Sequence, residues 1–398
     1  MRISTNSLFE TGSSRVGDLQ NSLFRTQEQL AAGRRILVPS DDPVAAAQAL
    51  EVTQAQEVNS QLAVNRRSAK DALNLEEHVL QSVTGLIQDA QTLVTSAGNG
   101  TLNDSERKFI ATELRGRFDD LMGLANTKDG AGNFLFAGFR TTEQPFAQTA
   151  DGARYDGDQG QRMLQVGPMR QIAVNDAGSA VFNLIPTGNG TSVTSAGNFN
   201  TGSGVVSSAT LTGTYSGNTY AIVFTSPTEY RIENQTSGTV VSSNNPYVSG
   251  QAIAINNEYR LDITGTPAVN DTFSVAPSAN QSVFSTLTRL INTLETPVSD
   301  AAGRARLTNE LNAARNNLNN SLDSILTTRA AVGSRLKEID SLDIQGEGRD
   351  LVYAQSLSAL QDLDYTQAIT ELSKKKIMLE AAQQAFVQTS RLSLFSYM

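Results

Sequence analysis

Residues 34–47 read RRILVPSDDPVAAA, a stretch that stops one helix and starts another. Pro39 is predicted to end the first helix, because a proline cannot continue the hydrogen-bond ladder. Pro43 suits the first turn of the next helix, and a short polar side chain just before it can cap that helix by accepting a backbone N–H. The sequence therefore predicts a domain junction built from Pro39, Ser40, Asp41, Asp42 and Pro43.

The segment after this junction reads as one long helix. No helix breaker follows Pro43 until Gly98, apart from Gly85, which a helix tolerates. A helix of about 54 residues at ~1.5 Å per residue is roughly 80 Å long. The next helix is predicted to start at the capping-box pattern of residues 103–106 and to fade at Asn126.

Apolar residues recur at a spacing of seven in both end regions of the chain. This spacing keeps one apolar line on one side of a helix and is typical of coiled-coil packing. Two lines come from each end, which predicts that N- and C-terminal helices pack together; a compact helical bundle is the alternative, which the helix lengths disfavour. The lines are Phe9, Val16, Leu23 and Leu30; Leu73, Leu80, Ile87 and Val94; Leu311, Leu318, Ile325, Val332 and Ile339; and Tyr365, Leu372, Leu379 and Phe386.

The middle of the chain has a different composition. Residues 184–277 are rich in Gly, Ser, Thr and Asn and carry few charges. Runs such as 219–224 and 259–263 favour strands, and Ser216-Gly217-Asn218 is typical of a turn between strands. The predicted fold is therefore a multidomain α+β protein, in which long antiparallel, coiled-coil-like helices from both termini form a rod and a β-rich outer domain is inserted.

This layout predicts three domains. Residues 1–43 and 351–398 form a terminal helical domain, residues 44–183 and 278–350 form a helical rod domain with a β-hairpin element, and residues 184–277 form the outer domain. Two terminal helices standing alone bury too little apolar surface to offset the entropy of ordering them. We therefore expect the terminal domain to be disordered in the monomer and to fold as it assembles.

Composition excludes several classes of site. The 398 residues include no Cys and a single His, His78, so disulfides and thiol chemistry are excluded, and His78 is predicted on an exposed helix face with Glu76 and Glu77. The net charge of −9 and the absence of a basic cluster disfavour nucleic-acid binding, and residues 374–376 are interpreted as a solvated Lys face. No membrane-spanning segment and no cleaved signal peptide are predicted. We expect no enzyme activity, cofactor or metal.

Several segments resemble the flagellin family. RRILVPSDDPVAAA is similar to the family's junction between innermost and rod helices. Residues 132–146 (GNFLFAGFRTTEQPF), 155–182 and 363–398 resemble the subunit that joins the flagellar hook to the filament, and residues 155–182 are expected to form β structure against the rod helices. The resemblance covers residues 1–183 and 278–398. The alternative within the family is a flagellin filament subunit, which normally ends in a more aliphatic tail.

The resemblance implies the following role. The terminal helices form an inner tube lining an axial channel, and copies of the chain form a ring of about one helical turn. The partners are the first hook-associated protein, flagellin, a transient filament cap protein, and a cytoplasmic export chaperone bound to the C-terminal region; secretion uses the flagellar type III system, without a cleaved signal peptide. The expected subunit-interface residues are Leu8, Phe9, Val16, Leu19, Leu23, Leu30, Leu360, Leu372, Leu379, Phe386, Leu394 and Phe395.

Two further classes of function have candidate residues in the outer domain. An enzyme carried on this scaffold could pair Glu229 with Glu233, but Arg231 between them favours a surface charge pattern. A glycan-binding domain could stack sugars on tyrosines, although strand aromatics are more often packing partners. The candidate tyrosines are Tyr215, Tyr220, Tyr230, Tyr247 and Tyr259.

Overall fold

The computed structural model describes residues 5–395, and the surroundings of side chains from residue 9 to residue 388. Within this range, long helices from both ends flank a central β-rich region, as the sequence predicts. The helices are α1 (Thr5–Ala32), α2 (Pro43–Ala97), α3 (Asp104–Ala125), α4 (Val283–Glu295), α5 (Ala301–Gln361) and α6 (Tyr365–Phe395).

The ends of α2 and α3 follow local sequence signals. Asp42 caps α2, because its Oδ1 accepts the backbone N–H of Ala45 at 3.0 Å, and the helix ends just before Gly98. Asn103 Oδ1 accepts the N–H of Glu106 at 3.0 Å, while Glu106 Oε2 accepts the N–H of Asn103 at 2.8 Å. The capping box therefore satisfies two N–H groups that have no partner inside the helix.

The predicted end of the first helix is wrong. Helix α1 stops at Ala32 rather than at Pro39, because Gly33 adopts a left-handed conformation with φ of +67°. Glycine takes this conformation without the steric cost that a Cβ brings, so it is the common residue after a helix end. A Cβ at Gly33 would also lie 2.7 Å from the Tyr365 hydroxyl.

The strands form antiparallel sheets. A five-stranded sheet has the order β11-β10-β9-β14-β6, a second sheet has the order β12-β13-β7 with β8 also on β13, and β1–β2, β3–β4 and β5–β15 form two-stranded pairs. The strands are β1 (Phe146–Thr149), β2 (Gly152–Tyr155), β3 (Met163–Gly167), β4 (Arg170–Ala173), β5 (Ile185–Pro186), β6 (Ser192–Ala196), β7 (Val205–Val206), β8 (Thr210–Leu211), β9 (Tyr220–Ser226), β10 (Glu229–Asn234), β11 (Thr239–Pro246), β12 (Ala252–Ile255), β13 (Tyr259–Thr264), β14 (Thr272–Pro277) and β15 (Asn280–Gln281).

The segment 155–182 is only partly β. Strands β3 and β4 form the predicted hairpin, but the chain then enters a single π-helical turn at Ser179–Asn183. This turn places Phe182 against an aromatic cluster, with ring-centroid distances of 5.3 Å to Phe136 and 5.4 Å to Phe146. Phe284 of α4 joins the cluster 5.3 Å from Phe146. The motif at residues 132–146 thus supplies rings that join the β elements to the helices.

The chain divides into two compact units. The terminal unit comprises Met1–Val64 and Ser341–Met398, and the central unit comprises Asn65–Asp340, so that α2 and α5 contribute to both. The three-domain division proposed from the sequence, with boundaries at residues 43, 183, 277 and 350, remains a prediction.

In the central unit, α2 and α5 bury both of their apolar lines. Arg329 pairs with Glu77 at 2.6 Å, and Gln91 Nε2 donates to Asn319 Oδ1 at 2.8 Å. These contacts join α2 to α5 and confirm that helices from the two ends pack together. All nine line residues are buried: Leu73, Leu80, Ile87, Val94, Leu311, Leu318, Ile325, Val332 and Ile339.

Two predictions of exposed charge need correction. Glu76 is buried with 1% of its surface exposed, whereas His78 is exposed as predicted. Consecutive helical residues point in directions about 100° apart, so Glu76, Glu77 and His78 cannot share one face. Lys375 is half-buried because its Nζ donates to Thr26 Oγ1 of α1 at 2.8 Å, while Lys374 and Lys376 are exposed.

Candidate assembly surface

Helices α1 and α6 form an antiparallel pair in the terminal unit. Phe9, near the start of α1, lies 5.0 Å from Phe386, near the end of α6. At the opposite end of the pair, the N–H of Leu363 donates to the carbonyl of Gly33 at 3.2 Å. Gly12 permits the close approach of Phe386, because a Cβ there would lie 2.7 Å from the ring.

Eleven of the twelve predicted interface residues lie on α1 or α6, and Leu360 lies near the end of α5; none with a described side chain is fully buried. Phe9 is 54% exposed. The side chains of Leu8, Leu394 and Phe395 lie outside the described side chains, so their environment stays a prediction. The remaining members are all half-buried: Val16, Leu19, Leu23, Leu30, Leu360, Leu372, Leu379 and Phe386.

Apolar side chains also lie on faces of the pair that the sequence reasoning missed. Phe24 is 61% exposed and Ile377 is 66% exposed, and each adjoins another apolar residue in the chain. Leu23-Phe24, Ile377-Met378 and Phe386-Val387 are such neighbours, and adjacent helical residues cannot both face a single partner helix. These doublets were the available signal that the pair is apolar on more than one side.

The terminal unit has almost no apolar core of its own. Among its described side chains, Leu62 is the one large apolar residue that is buried; the other buried apolar residues are Ala45, Ala49 and Ala368. Among the described side chains, more than half of the exposed large apolar ones lie in this unit, which holds fewer than a third of the residues. Exposed apolar surface of this extent marks an interaction site rather than an ordinary solvated surface.

The predicted domain junction is a charged turn. Asp41 Oδ2 accepts the N–H of Leu37 at 2.8 Å and that of Val38 at 3.2 Å, and its carboxylate pairs closely with Arg25. Asp42 caps α2 and pairs with Arg35 at 3.1 Å. The backbone N–H of Ala45, followed by Arg35, lowers the pKa of Asp42.

Both carboxylates are therefore occupied in fixing the turn. Pro39, Ser40 and Pro43 are exposed. Arg35 also donates to the carbonyl of Leu360 at 2.8 Å, and its backbone N–H donates to the carbonyl of Gln361 at 2.8 Å. This arginine ties the turn to the end of α5.

Four of the five outer-domain tyrosines considered for sugar stacking are buried by packing. Tyr220 and Tyr259 are fully buried, and Tyr230 and Tyr247 are 9% exposed, all four in the apolar cluster shared by the two larger sheets. Tyr215 is exposed. Arg231 pairs with Glu233 at 2.6 Å, as a surface charge pattern predicts.

Among residues 5–395, no group of three or more His, Cys, Asp or Glu residues is placed to hold a metal ion. No helix there combines the length and apolar character that crossing a membrane requires.

Comparison with known proteins assigns the family. Residues 3–141 match the bacterial flagellin N-terminal helical region. Over 396 residues the chain is 30% identical to flagellar hook-associated protein 3 of Escherichia coli K12, covering 99% of both chains. The chain belongs to the flagellar hook-associated protein 3 family. The flagellin-family resemblance read from the sequence motifs is therefore confirmed.

Solved structures of hook-associated protein 3 relatives share this fold. The crystal structure of FlgL from Xanthomonas campestris has a TM-score of 0.73 at 27% identity, covering 77% of this chain and 99% of that one. The flagellar junction protein FlgL from Legionella pneumophila has a TM-score of 0.71 at 28% identity, covering 79% of this chain and 100% of that one. The chain therefore shares its mixed architecture of terminal helices and a central β-rich region with these FlgL structures.

Proposed function

We propose that the protein is a structural adapter that joins the flagellar hook to the flagellin filament. The observation that carries this proposal is the terminal helix pair, which exposes apolar side chains on several faces and lacks a core. Such a pair suits a subunit that completes its burial against neighbouring copies. The names of the relatives, hook-associated protein 3 and flagellar junction protein, support the same role.

In the proposed assembly, α1 and α6 form the inner tube around the axial channel, and the outer domain faces outward. Copies form a ring of about one helical turn. The first hook-associated protein contacts one side of the ring. A transient filament cap protein contacts the other side first, and flagellin then contacts that side. All of the predicted interface residues of α1 and α6, including the exposed Phe9, contact neighbouring subunits, as does Leu360 of α5.

The route to this site is also proposed. The chain leaves the cell through the flagellar type III export channel without a cleaved signal peptide and resides in the extracellular flagellum. Before export, a cytoplasmic chaperone covers its C-terminal region. The exposed apolar residues Ile369, Ile377, Met378 and Val387 of α6 are surface that such a chaperone would shield from water.

An adapter between unlike partners needs two different faces. A head-to-tail contact presents different surfaces to the two sides, whereas a two-fold dimer presents one surface twice. We therefore expect the purified protein to be monomeric at micromolar concentration in sedimentation velocity. A stable symmetric dimer would argue against the adapter arrangement.

The test is deletion of the gene followed by electron microscopy of the cells. We expect hooks without filaments and flagellin in the medium, restored to filaments by the wild-type gene and by a Phe386→Leu variant, but not by Phe386→Asp. Normal filaments on deleted cells would overturn the proposal.

The alternative is a flagellin subunit, favoured by the match of residues 3–141 to the flagellin N-terminal region. Immunogold labelling distinguishes the two roles. A band at the base of the filament supports the junction, whereas labelling along the whole filament supports flagellin.

A further inference from the structure

A buried carboxylate pair lies where the chain passes from the β3–β4 hairpin towards the outer domain. Glu76 of α2 is 1% exposed and Asp176 is 7% exposed. Glu76 Oε1 accepts the backbone N–H of Asp176 at 3.0 Å. Two carboxyl groups held this close inside a protein resist being ionised together, because each negative charge raises the energy of the other.

The Asp176 carboxylate has its own partners. Arg335 of α5 donates to both of its oxygens, at 2.9 Å each, and Gln161 Nε2 donates to Oδ1 at 2.8 Å. A bidentate guanidinium contact of this kind stabilises the ionised form of the acid it holds. Asp176 is therefore the member of the pair whose carboxylate oxygens both have donors.

Glu76 lacks comparable stabilisation. Its Oε2 is buried without a hydrogen-bond partner. Burial, followed by the charge of Asp176, raises the pKa of Glu76 to about 8, against the opposing effects of the Asp176 N–H, Arg335 and Arg162. Its neighbour Glu77 is occupied by Arg329 on α5.

The contact fixes a connecting segment of the chain to a helix. Residues 174–178 continue the chain from β4 into the π-helical turn, and Glu76 attaches this segment to α2 while Arg335 attaches it to α5. Downstream, the N–H of Gly178 donates to the carbonyl of Phe136 at 2.9 Å. Residues 161–162 hold the segment too, since the N–H of Val174 donates to the carbonyl of Arg162 at 2.9 Å and the N–H of Arg162 donates to Asn175 Oδ1 at 2.7 Å. Loss of the Glu76 contact removes this attachment to α2 and leaves the others.

We propose that the Glu76–Asp176 contact is a proton-dependent clasp, which holds residues 174–178 on α2 while Glu76 is protonated and releases them from α2 when Glu76 ionises. The clasp is closed at neutral pH and opens in alkaline medium. It loosens the connection to the outer domain without unfolding the helices.

The pH dependence of stability has a definite sign. Because the pKa of Glu76 is raised on folding, from 4.5 to about 8, the folded state binds its proton more tightly than the unfolded state does. The stabilisation is complete below pH 4.5 and is lost as the pH rises from 4.5 to about 8. One pH unit above the pKa, the ionised form exceeds the protonated form about tenfold.

The experiment compares the full-length wild type with Glu76→Gln, which keeps the acceptor oxygen but cannot ionise. In urea unfolding between pH 5 and pH 9, we expect the unfolding midpoint of the wild type to fall with rising pH. The midpoint of Glu76→Gln should fall much less over the same range. Glu77→Gln is the matched control: it removes the ion pair with Arg329, so it should lower the midpoint at every pH and keep the wild-type slope.

A second measurement needs no variant. Hydrogen exchange, corrected for its intrinsic pH dependence, reports the protection of the Asp176 amide. We expect this protection to fall about tenfold between pH 7 and pH 9, while the amide of Gly178 stays protected. Constant protection at Asp176, or parallel pH profiles for wild type and Glu76→Gln, would overturn the proposal.

Discussion

The α1–α6 pair of the terminal unit and the α2 and α5 segments of the central unit carry apolar residues at the same spacing of seven, yet these residues differ in burial. In the central unit, every residue of both lines is buried. In the terminal pair, none of the line residues with a described side chain is buried, and Phe9 and Tyr365 are each 54% exposed.

The difference lies in what covers the helices. In the central unit, α3, α4 and β4 also contact α2 and α5, through the ion pairs Arg117–Asp89, Arg289–Glu310 and Arg170–Glu338. The terminal pair consists of two helices, and a helix apolar on more than one side cannot be covered by a single partner. A seven-residue spacing thus identifies the side chains that form an apolar face. It does not show whether the surface that covers this face belongs to the same chain or to another copy.

An aspartate substituted into each apolar line should produce the largest difference between the central unit and the terminal pair. Ile325→Asp buries a carboxylate in a fully covered site, which costs several kcal/mol and should prevent the central unit from folding. Leu379→Asp should leave the thermal unfolding of the central unit almost unchanged but abolish assembly. Circular dichroism and electron microscopy measure the two effects.

A conservative pair of variants controls for nonspecific damage. Ile325→Val and Leu379→Met should both fold and assemble. If Leu379→Asp lowers the unfolding midpoint as much as Ile325→Asp does, the two lines belong to one core and the comparison fails.

Truncation of matched leucines should give a smaller, graded difference. Leu80→Ala removes a fully buried side chain and should lower the free energy of unfolding of the central unit by ~2–5 kcal/mol. Leu372→Ala, in the half-buried line of α6, should lower the free energy of unfolding by less than ~1 kcal/mol. Urea unfolding followed by circular dichroism checks both, and equal losses would contradict the account.

Local sequence signals predicted where α2 and α3 start, whereas contacts distant in the chain determined where α1 ends and which charged residue is buried. Pro43 and the capping box at Asn103 act through neighbouring residues, so the sequence places them correctly. Gly33 rather than Pro39 ends α1. Neighbouring residues do not reveal this, because the left-handed conformation of Gly33 and its fit against Tyr365 depend on the folded pair. The burial of Glu76 depends on Asp176, which lies 100 residues away in the chain.

Sheet order was not predictable for the same reason. Strand β14 pairs with β9 and with β6, so that Phe273 lies opposite both Ile222 and Ala196. Alternating strand patterns indicate which face is buried but not which strand is the neighbour. The doublets Leu23-Phe24 and Ile377-Met378 were readable in the sequence, and they were the missed part of the candidate surface.

The outward-facing apolar residues of the pair should affect assembly but not folding. Phe24→Gln should leave the unfolding of the isolated chain unchanged and weaken assembly by ~1.5–3 kcal/mol per subunit, the value of one buried large apolar side chain. The concentration needed for assembly measures this effect. Arg15→Gln, on the exposed surface of the same helix, is the control. Equal assembly by Phe24→Gln and wild type would remove Phe24 from the interface.

The smallest expected effect concerns a helix cap in the central unit. Asn103→Ala removes the acceptor for the Glu106 N–H and should lower the free energy of unfolding by ~1 kcal/mol, without affecting assembly. Asn103→Ser keeps a capping oxygen and should recover most of the loss. A loss of assembly in Asn103→Ala would show that the two units are not energetically separate.

Hydrogen exchange of α1 and α6, in the free chain and in the assembled junction, shows whether the terminal pair is stable only after assembly. We expect fast exchange across both helices in the monomer, slow exchange in the central unit under the same conditions, and strong protection of α1 and α6 after assembly. Slow exchange of α1 and α6 in the free monomer would show that the pair is stable without neighbours and would contradict the account.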